Sequence, residues 1–178
     1  MKINKKFKIM VLGSNSFSGS HFINFLLKKN RSVIGVSRSR EKNKKIIPYL
    51  SLNKKLLKNF RFYQIDINKD SNQKKLLNLI NTFKPNYIIN FSAQGMVEQS
   101  WIKPLDWYNT NFISMVKLVN RIKNFKFLKK YIQFSTPEVY GNIIKNTNEN
   151  AKFNPSTPYA VSRAAFDMHL KILFDNYK

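Results

Sequence analysis

The chain has 178 residues, 43% of them apolar and 14% aromatic, which suffices for one domain with a buried core and is too few for two. It has no cysteine and only two histidines, which excludes disulfides, cysteine nucleophiles, thiolate metal sites and a zinc site built from histidine alone. The formal charge of +23 invites a nucleic-acid reading, but the lysines are scattered along the whole chain and only six residues are arginine. Nucleic-acid readers concentrate arginines and exposed aromatics, so a solvated lysine-rich surface is favoured, with a positive field that helps draw in an anionic substrate.

Met1 to Leu12 carries lysines ahead of an apolar run of about six residues, which is short of a signal-peptide core. No apolar segment reaches the roughly 20 residues that cross a bilayer. The expectation is a soluble, cytoplasmic protein with no membrane partner. Along the chain, strand and helix patterns alternate. Lys8 to Leu12 is a nearly all-apolar run, as in a parallel strand buried on both faces. A Gly/Ser-rich turn follows, then a helical pattern from Gly19 to Lys29 with His21, Phe22, Phe25 and Leu26 at helical spacing. Ser32 to Ser37 reads as a second strand and Phe60 to Ile65 as a third; Pro48 interrupts any single helix between them. A helix from about Ser71 to Phe83, a strand from Tyr87 to Phe91, a long helix from Leu105 to Asn124 and a strand from Tyr131 to Phe134 complete the alternation. An Asn-, Pro- and Ser-rich loop from Gly141 to Pro158 leads to a last helix from Tyr159 to about Asn176. Strands separated by helices of this length imply right-handed crossovers and a doubly wound parallel sheet, a three-layer α/β/α Rossmann-type fold over residues 1–178.

The turn from Gly13 to Gly19 lies between the first strand and the first helix. A diphosphate needs backbone N–H groups at close range and the positive end of a helix, which small residues permit. Gly13 suits the tight turn and Gly19 the close packing of helix on strand, so a dinucleotide cradle is favoured over a plain turn. Arg38 ends the second strand, and no acid follows until Glu41. An acid at that point would bond the ribose 2′-hydroxyl of NAD, whereas arginine suits the 2′-phosphate of NADP; NADP is therefore expected, with NAD as the alternative. Asp66 and Ile67 follow the third strand, where Asp66 either reaches an adenine amino group or caps the next turn.

Several further segments fall into one order. Gly13-x-x-Ser16-Phe17-Ser18-Gly19 looks like G-x-x-G-F-x-G, and Lys84 to Gln94, with Phe91, Ser92 and Ala93, is similar to a segment that ends in a cofactor-lining Ala-Ala. Ser100 to Pro104 and Asn111 continue the match; Ser135-Thr-Pro-Glu-Val-Tyr-Gly141 looks like S-T-x-E-x-Y/F-G, and Tyr159-Ala-Val-Ser-Arg163 like Y-x-x-x-K. Over essentially the whole chain the sequence resembles the extended short-chain dehydrogenases/reductases, particularly the NAD(P)-dependent nucleotide-sugar epimerases and 4,6-dehydratases. Ala93 to Trp101 looks closest to GDP-mannose 4,6-dehydratases, and Glu138 to Gly141 leans towards dTDP-glucose 4,6-dehydratases.

The resemblance implies an enzyme in which Tyr159 deprotonates a sugar hydroxyl, Thr136 hydrogen-bonds it, and Glu138 removes the proton beside the new ketone. Spacing alone equally allows Glu138 to cap a turn. A phenol ionises near pH 10 and needs a cation beside it; the family's lysine one helical turn on is Arg163 here, which keeps the charge but not the compact ammonium. Proline at 137 replaces the acid or serine of the dehydratase branches, and Ser16 replaces a glycine of the cradle. Family members continue beyond the tyrosine-bearing helix with a substrate lobe, so these 178 residues are expected to hold the dinucleotide-binding part of such an enzyme without that lobe. A homodimer through the helices 105–124 and 159–176 is implied as well. A nucleotide-sugar 4-epimerase and a non-catalytic dinucleotide- or partner-binding domain are the competing readings.

Overall fold

The computed structural model describes residues 7–143 and 146–177. Residues 1–6 of the lysine-bearing N-terminal stretch and 144–145 of the Asn-rich loop lie outside the described residues, as does residue 178. Strands β1 (Lys8–Leu12), β2 (Ser32–Ser37), β3 (Phe60–Gln64), β4 (Tyr87–Asn90) and β5 (Lys130–Gln133) form one sheet in the order β3-β2-β1-β4-β5. Every pairing is parallel. The central strands are almost wholly buried, while β3 and β5 at the edges are at most half-buried along their lengths, the difference expected between covered and open positions of a sheet.

Two compact units divide the chain, residues 1–92 with 124–134, and residues 93–123 with 135–178. The first contains the sheet, helix α1 (Phe17–Lys28), a short helix α2 (Lys54–Leu57) and helix α3 (Asp70–Phe83). Helix α1 joins β1 to β2, and α3 joins β3 to β4 in the opposite direction across the sheet. Right-handed crossovers therefore place them on opposite faces and leave a switch point between β1 and β4. On one face Ile9, Val11, Val33 and Ile89 pack with Ile23, Leu26 and Leu27 of α1. The alternate residues Met10, Leu12, Ile34, Val36 and Ile88 point the other way and are also buried.

The buried stripe of α1 is Gly19, Ser20, Ile23, Leu26 and Leu27. Of His21, Phe22, Phe25 and Leu26, which lie at helical spacing in α1, Leu26 alone is buried, Phe22 is half-buried against Phe91, and Phe25 is 53% exposed. The rotation of the helix follows from Gly19, where a Cβ would come within 2.3 Å of the Gly13 carbonyl oxygen; the glycine face must turn inward, and Ile23 and Leu27 turn with it. Between β2 and β3, Pro48 opens a 3-10 turn (Pro48–Ser51) instead of a helix. Tyr49 in that turn is fully buried, packs its ring on Phe60 and donates its hydroxyl to Glu41 Oε1 at 2.6 Å. Burial first, and the Glu41 carboxylate second, hold this phenol protonated well above the usual tyrosine range.

The second unit contains α4 (Val97–Ile102), α5 (Pro104–Tyr108), a π turn (Asn109–Ile113), α6 (Ser114–Ile122), a 3-10 turn (Pro137–Tyr140) and α7 (Pro158–Asn176). The single helix expected over 105–124 is thus α5, the π turn and α6. Pro104 bars residue 103 from helical geometry and starts α5 as its first residue. Helix α4 was not expected: it exposes Trp101 and Ile102, and only Ser100 is buried, so it carries no inward apolar period. Helix α7 packs against α4, α5 and the π turn, and its start is capped by Thr157, whose hydroxyl accepts from the Ala160 N–H at 3.1 Å. Among the described residues, no helix is long and apolar enough to cross a membrane.

Replacing Tyr49 with Phe removes one buried hydrogen bond while keeping the ring. Glu41 is only half-buried and regains water, so an expected loss of about 1 kcal/mol follows. Urea denaturation at neutral pH measures it; an unchanged midpoint would show that the Tyr49–Glu41 bond contributes nothing.

Candidate functional site

Because all five strands run parallel, Gly13, Arg38, Asp66 and Ser92 follow the carboxyl ends of β1, β2, β3 and β4 on one edge of the sheet. The β1–α1 turn lies at the switch point. Gly13 has a φ of +76°, and its N–H and that of Ser14 both donate to the Val36 carbonyl, at 2.8 and 3.1 Å. A Cβ on Gly13 would lie 2.5 Å from the Ser92 nitrogen, so only glycine fits. Ser16 is the N-cap of α1: its hydroxyl donates to the Gly13 carbonyl at 2.7 Å and accepts from the Gly19 N–H at 3.0 Å. Phe17 and Ser18, both exposed, form the first turn, where helical amides lack intrahelical partners and the dipole is positive. With no acidic residue in that turn, the arrangement suits an anion.

Asn15 ties the turn to the end of β2. Its N–H donates to Ser37 Oγ at 3.0 Å, and its side-chain amide donates to the carbonyls of Ser39 and Arg40 at 2.9 and 2.8 Å. Arg38 is exposed in the segment so held. Asp66 caps its own turn, with Oδ1 accepting from the Asn68 N–H at 3.1 Å, and Ile67 is buried. Phe91 stacks on Phe134 with ring centroids 4.1 Å apart. Asn90, which sequence reasoning passed over, organises the end of β4. It is fully buried; its amide donates to the Tyr131 hydroxyl and to Gln133 Oε1, and its carbonyl oxygen accepts from the Ser92 N–H at 2.8 Å. Its signal was a polar residue closing an apolar strand.

In the second unit Ala93 is exposed, and the next residue, Gln94, is clamped by Asn111, whose side chain accepts from the Gln94 N–H at 2.7 Å and donates to its carbonyl at 3.0 Å. Asn111 also donates to Ser162 Oγ, which donates to the Tyr159 carbonyl at 2.6 Å. The extra residue of the π turn brings Asn111 to this buried position. The Tyr159 N–H donates to Ser100 Oγ at 3.2 Å. Backbone bonds thus fix the position of Tyr159 on α7.

Thr136 caps the 3-10 turn that carries Glu138. Thr136 and Pro137 line a cavity of about 280 Å³ whose wall also includes Ser135 and Asp167; Glu138 and Tyr159 are not among its lining residues. Arg163 is buried at 4% exposure, one turn from both Tyr159 and Asp167. Asp167 was absent from the sequence expectations. Its carboxylate accepts from the Ser135 hydroxyl. Burial raises the Asp167 carboxyl above the usual carboxylate range, opposed by that hydrogen bond and by the charge of Arg163. Among the described residues, no group of acidic or histidine side chains is arranged to hold a metal ion.

A family model described as GDP-mannose 4,6 dehydratase matches residues 10–178. The UDP-glucuronate 4-epimerase of Thermodesulfobacterium geofontis is 29% identical over 161 residues, which are 89% of this chain and 49% of that protein. The dTDP-D-glucose 4,6-dehydratase of Homo sapiens is 30% identical over 179 residues, 96% of this chain and 48% of that protein. A solved structure of UDP-glucuronic acid 4-epimerase from Bacillus cereus, in complex with UDP-glucuronic acid and NAD, is similar with a TM-score of 0.77 at 28% identity, over 96% of this chain and 53% of that one. The chain spans about half the length of the relatives it matches.

The raised Asp167 carboxyl makes stability depend on pH. The folded state holds this proton more readily than the unfolded chain, so the group's contribution is full below the ordinary aspartate value of 3.8 and is lost as pH rises through the folded value. Asp167→Asn cannot ionise. Its melting temperature, relative to the parent, is expected to rise from acid to neutral pH; a constant difference across that range would contradict a carboxyl raised by burial.

Proposed function

This chain belongs to the GDP-mannose 4,6-dehydratase family of extended short-chain dehydrogenases/reductases, and on that premise we propose that it serves an NAD(P)-dependent nucleotide-sugar 4,6-dehydratase. What carries this reading is the β1–α1 turn, whose two glycine positions leave no room for a Cβ, in a chain that matches the family from residue 10 to 178. Such a cradle admits a diphosphate to backbone amides at a helix N-terminus. When bound, a nicotinamide dinucleotide supplies a hydride acceptor and later a hydride donor. Residues Gly13, Ser16, Phe17, Ser18 and Gly19 hold the diphosphate. Arg38 meets the 2′-phosphate of NADP, while the NAD in the Bacillus cereus neighbour supports NAD as the alternative. Asp66 and Ile67 serve the adenine, and Phe91, Ser92 and Ala93 the rest of the dinucleotide.

The proton transfers belong to the second unit. Tyr159 takes the proton of the sugar's C4 hydroxyl as that carbon is oxidised, with Arg163 one helical turn away on α7. Thr136 hydrogen-bonds the same hydroxyl. Glu138 removes the proton at C5, now acidified by the neighbouring ketone, and water leaves from C6. Exposed apolar residues on the helices of this unit, among them Leu105, Ile113, Met168, Ile172 and Phe174, support a homodimer through them.

Relatives named as 4-epimerases favour a second reading, inversion at C4, which uses Tyr159 and the cofactor but not Glu138. Incubation with NADP or NAD and either GDP-mannose or dTDP-glucose separates the two. A dehydratase yields a 4-keto-6-deoxy sugar by NMR, and Glu138→Gln lowers its rate on the order of 10²–10⁴-fold. A product inverted at C4 with its C6 hydroxyl intact, formed equally by Glu138→Gln, would establish the epimerase instead.

A further inference from the structure

In a Rossmann-type fold the adenine ribose lies over the carboxyl end of β2, where its 2′ substituent is read. A 2′-phosphate there is attracted by cations and donors and repelled by carbonyl oxygens left facing it. In this chain every carbonyl from residue 36 to residue 40 is taken by a donor of the protein. The Val36 oxygen accepts from the Gly13 and Ser14 N–H groups, and the Ser37 oxygen from the Ile65 N–H at 2.9 Å. The Arg38 oxygen accepts from the Gln64 amide at 3.1 Å. The Ser39 and Arg40 oxygens accept from the side-chain amide of Asn15, at 2.9 and 2.8 Å. Arg38, Ser39 and Arg40 are all exposed, and the first acid after them, Glu41, is bonded to the buried Tyr49 hydroxyl.

Asn15 joins this segment to the diphosphate cradle, since its backbone N–H also donates to Ser37 Oγ at 3.0 Å. From this arrangement we infer that Asn15 is a positioning residue for cofactor choice: its amide holds residues 38–40 with their carbonyls turned aside, so that Arg38, Ser39 and Arg40 receive the 2′-phosphate of NADP. The inference rests on the dinucleotide reading above and assigns the selection of NADP over NAD to an uncharged side chain of the cradle. Asn15 acts through the backbone it holds. Without its amide the Ser39 and Arg40 carbonyls lose their donor and can turn towards the phosphate, and binding must then restore the order of the segment. NADH carries a hydroxyl in place of that phosphate. A hydroxyl can donate to a carbonyl, so NADH depends less on how the segment is held.

The test titrates NADPH and NADH calorimetrically into the full chain as the parent, Asn15→Ala, Asn15→Ser, Arg38→Ala and the double variant of Asn15→Ala with Arg38→Ala. Each is first checked for a parent-like melting transition. Serine is too short to reach both carbonyls, so either Asn15 variant decides if the other fails to fold. The parent is expected to prefer NADPH, and Asn15→Ala to lose about tenfold more affinity for NADPH than for NADH. A purely structural role would lower both affinities alike. In the Arg38→Ala background the same substitution shifts the ratio of the two affinities by a smaller factor, because the phosphate contact it supports is already weakened. Equal losses for the two dinucleotides, an undiminished shift in the Arg38→Ala background, or a parent that binds NADH as tightly as NADPH overturns the inference and leaves dinucleotide binding standing. A parent that binds neither sinks the dinucleotide reading itself, and the inference with it.

Discussion

The carboxyl edge of the sheet depends on how closely two stretches of backbone approach at Gly13. A left-handed φ there, with the Ser92 nitrogen 2.5 Å from where a Cβ would sit, admits no side chain. Because Gly13 can occupy that point, its N–H and that of Ser14 reach the Val36 carbonyl, and the chain turns directly from β1 into α1. Gly19 repeats the constraint six residues on, in the first turn of α1, packing against the Gly13 carbonyl, and so sets which face of α1 meets the sheet. Asn90 acts from the other side: bonded to Tyr131 and Gln133 on β5, it holds Ser92 in the position that leaves just enough room. Close approach, rather than charge, sets the shape of this turn.

Departures from the family pattern take on different weights in this light. Ser16 replaces a glycine, yet its hydroxyl bridges the Gly13 carbonyl and the Gly19 N–H, so the serine supports the turn. Arg163 replaces a lysine and is buried with its charge bearing on Asp167; a guanidinium has more donors to satisfy than an ammonium, and an acid one turn away on the same helix helps to accommodate it. Pro137 replaces an acid or a serine and opens the 3-10 turn that Thr136 caps. Two of the three changes therefore come with visible partners in the fold.

The five strands and their order of connection were legible because their signals are local: apolar runs of strand length, punctuated by turn residues, with helical periods between them. Their ends agree with expectation to within a residue. What was not legible depended on partners distant in the chain. The face of α1 is set by contact between Gly19 and Gly13 rather than by the count of apolar residues, so the helix was legible from His21, Phe22 and Phe25 but its buried face was not. Helix α4 turns its apolar residues outward, and the π turn exists where Asn111 clamps the backbone of Gln94, seventeen residues earlier. Within the candidate site, the glycines, Thr136, Glu138 and Tyr159 were found by motif. Asp167 was not, because an acid two turns into a helix reads as part of a solvated face until Ser135 is seen against it.

Whether the turn from Gly13 to Gly19 holds a dinucleotide is the claim on which the chemistry rests, and isothermal titration calorimetry of the chain with NADPH and with NADH tests it most directly. Saturable binding at one site per chain is expected, weakened at least about tenfold in Gly19→Val, whose side chain would press on the Gly13 carbonyl and close the cradle. No heat with either dinucleotide, or equal affinity in a folded Gly19→Val, would contradict it.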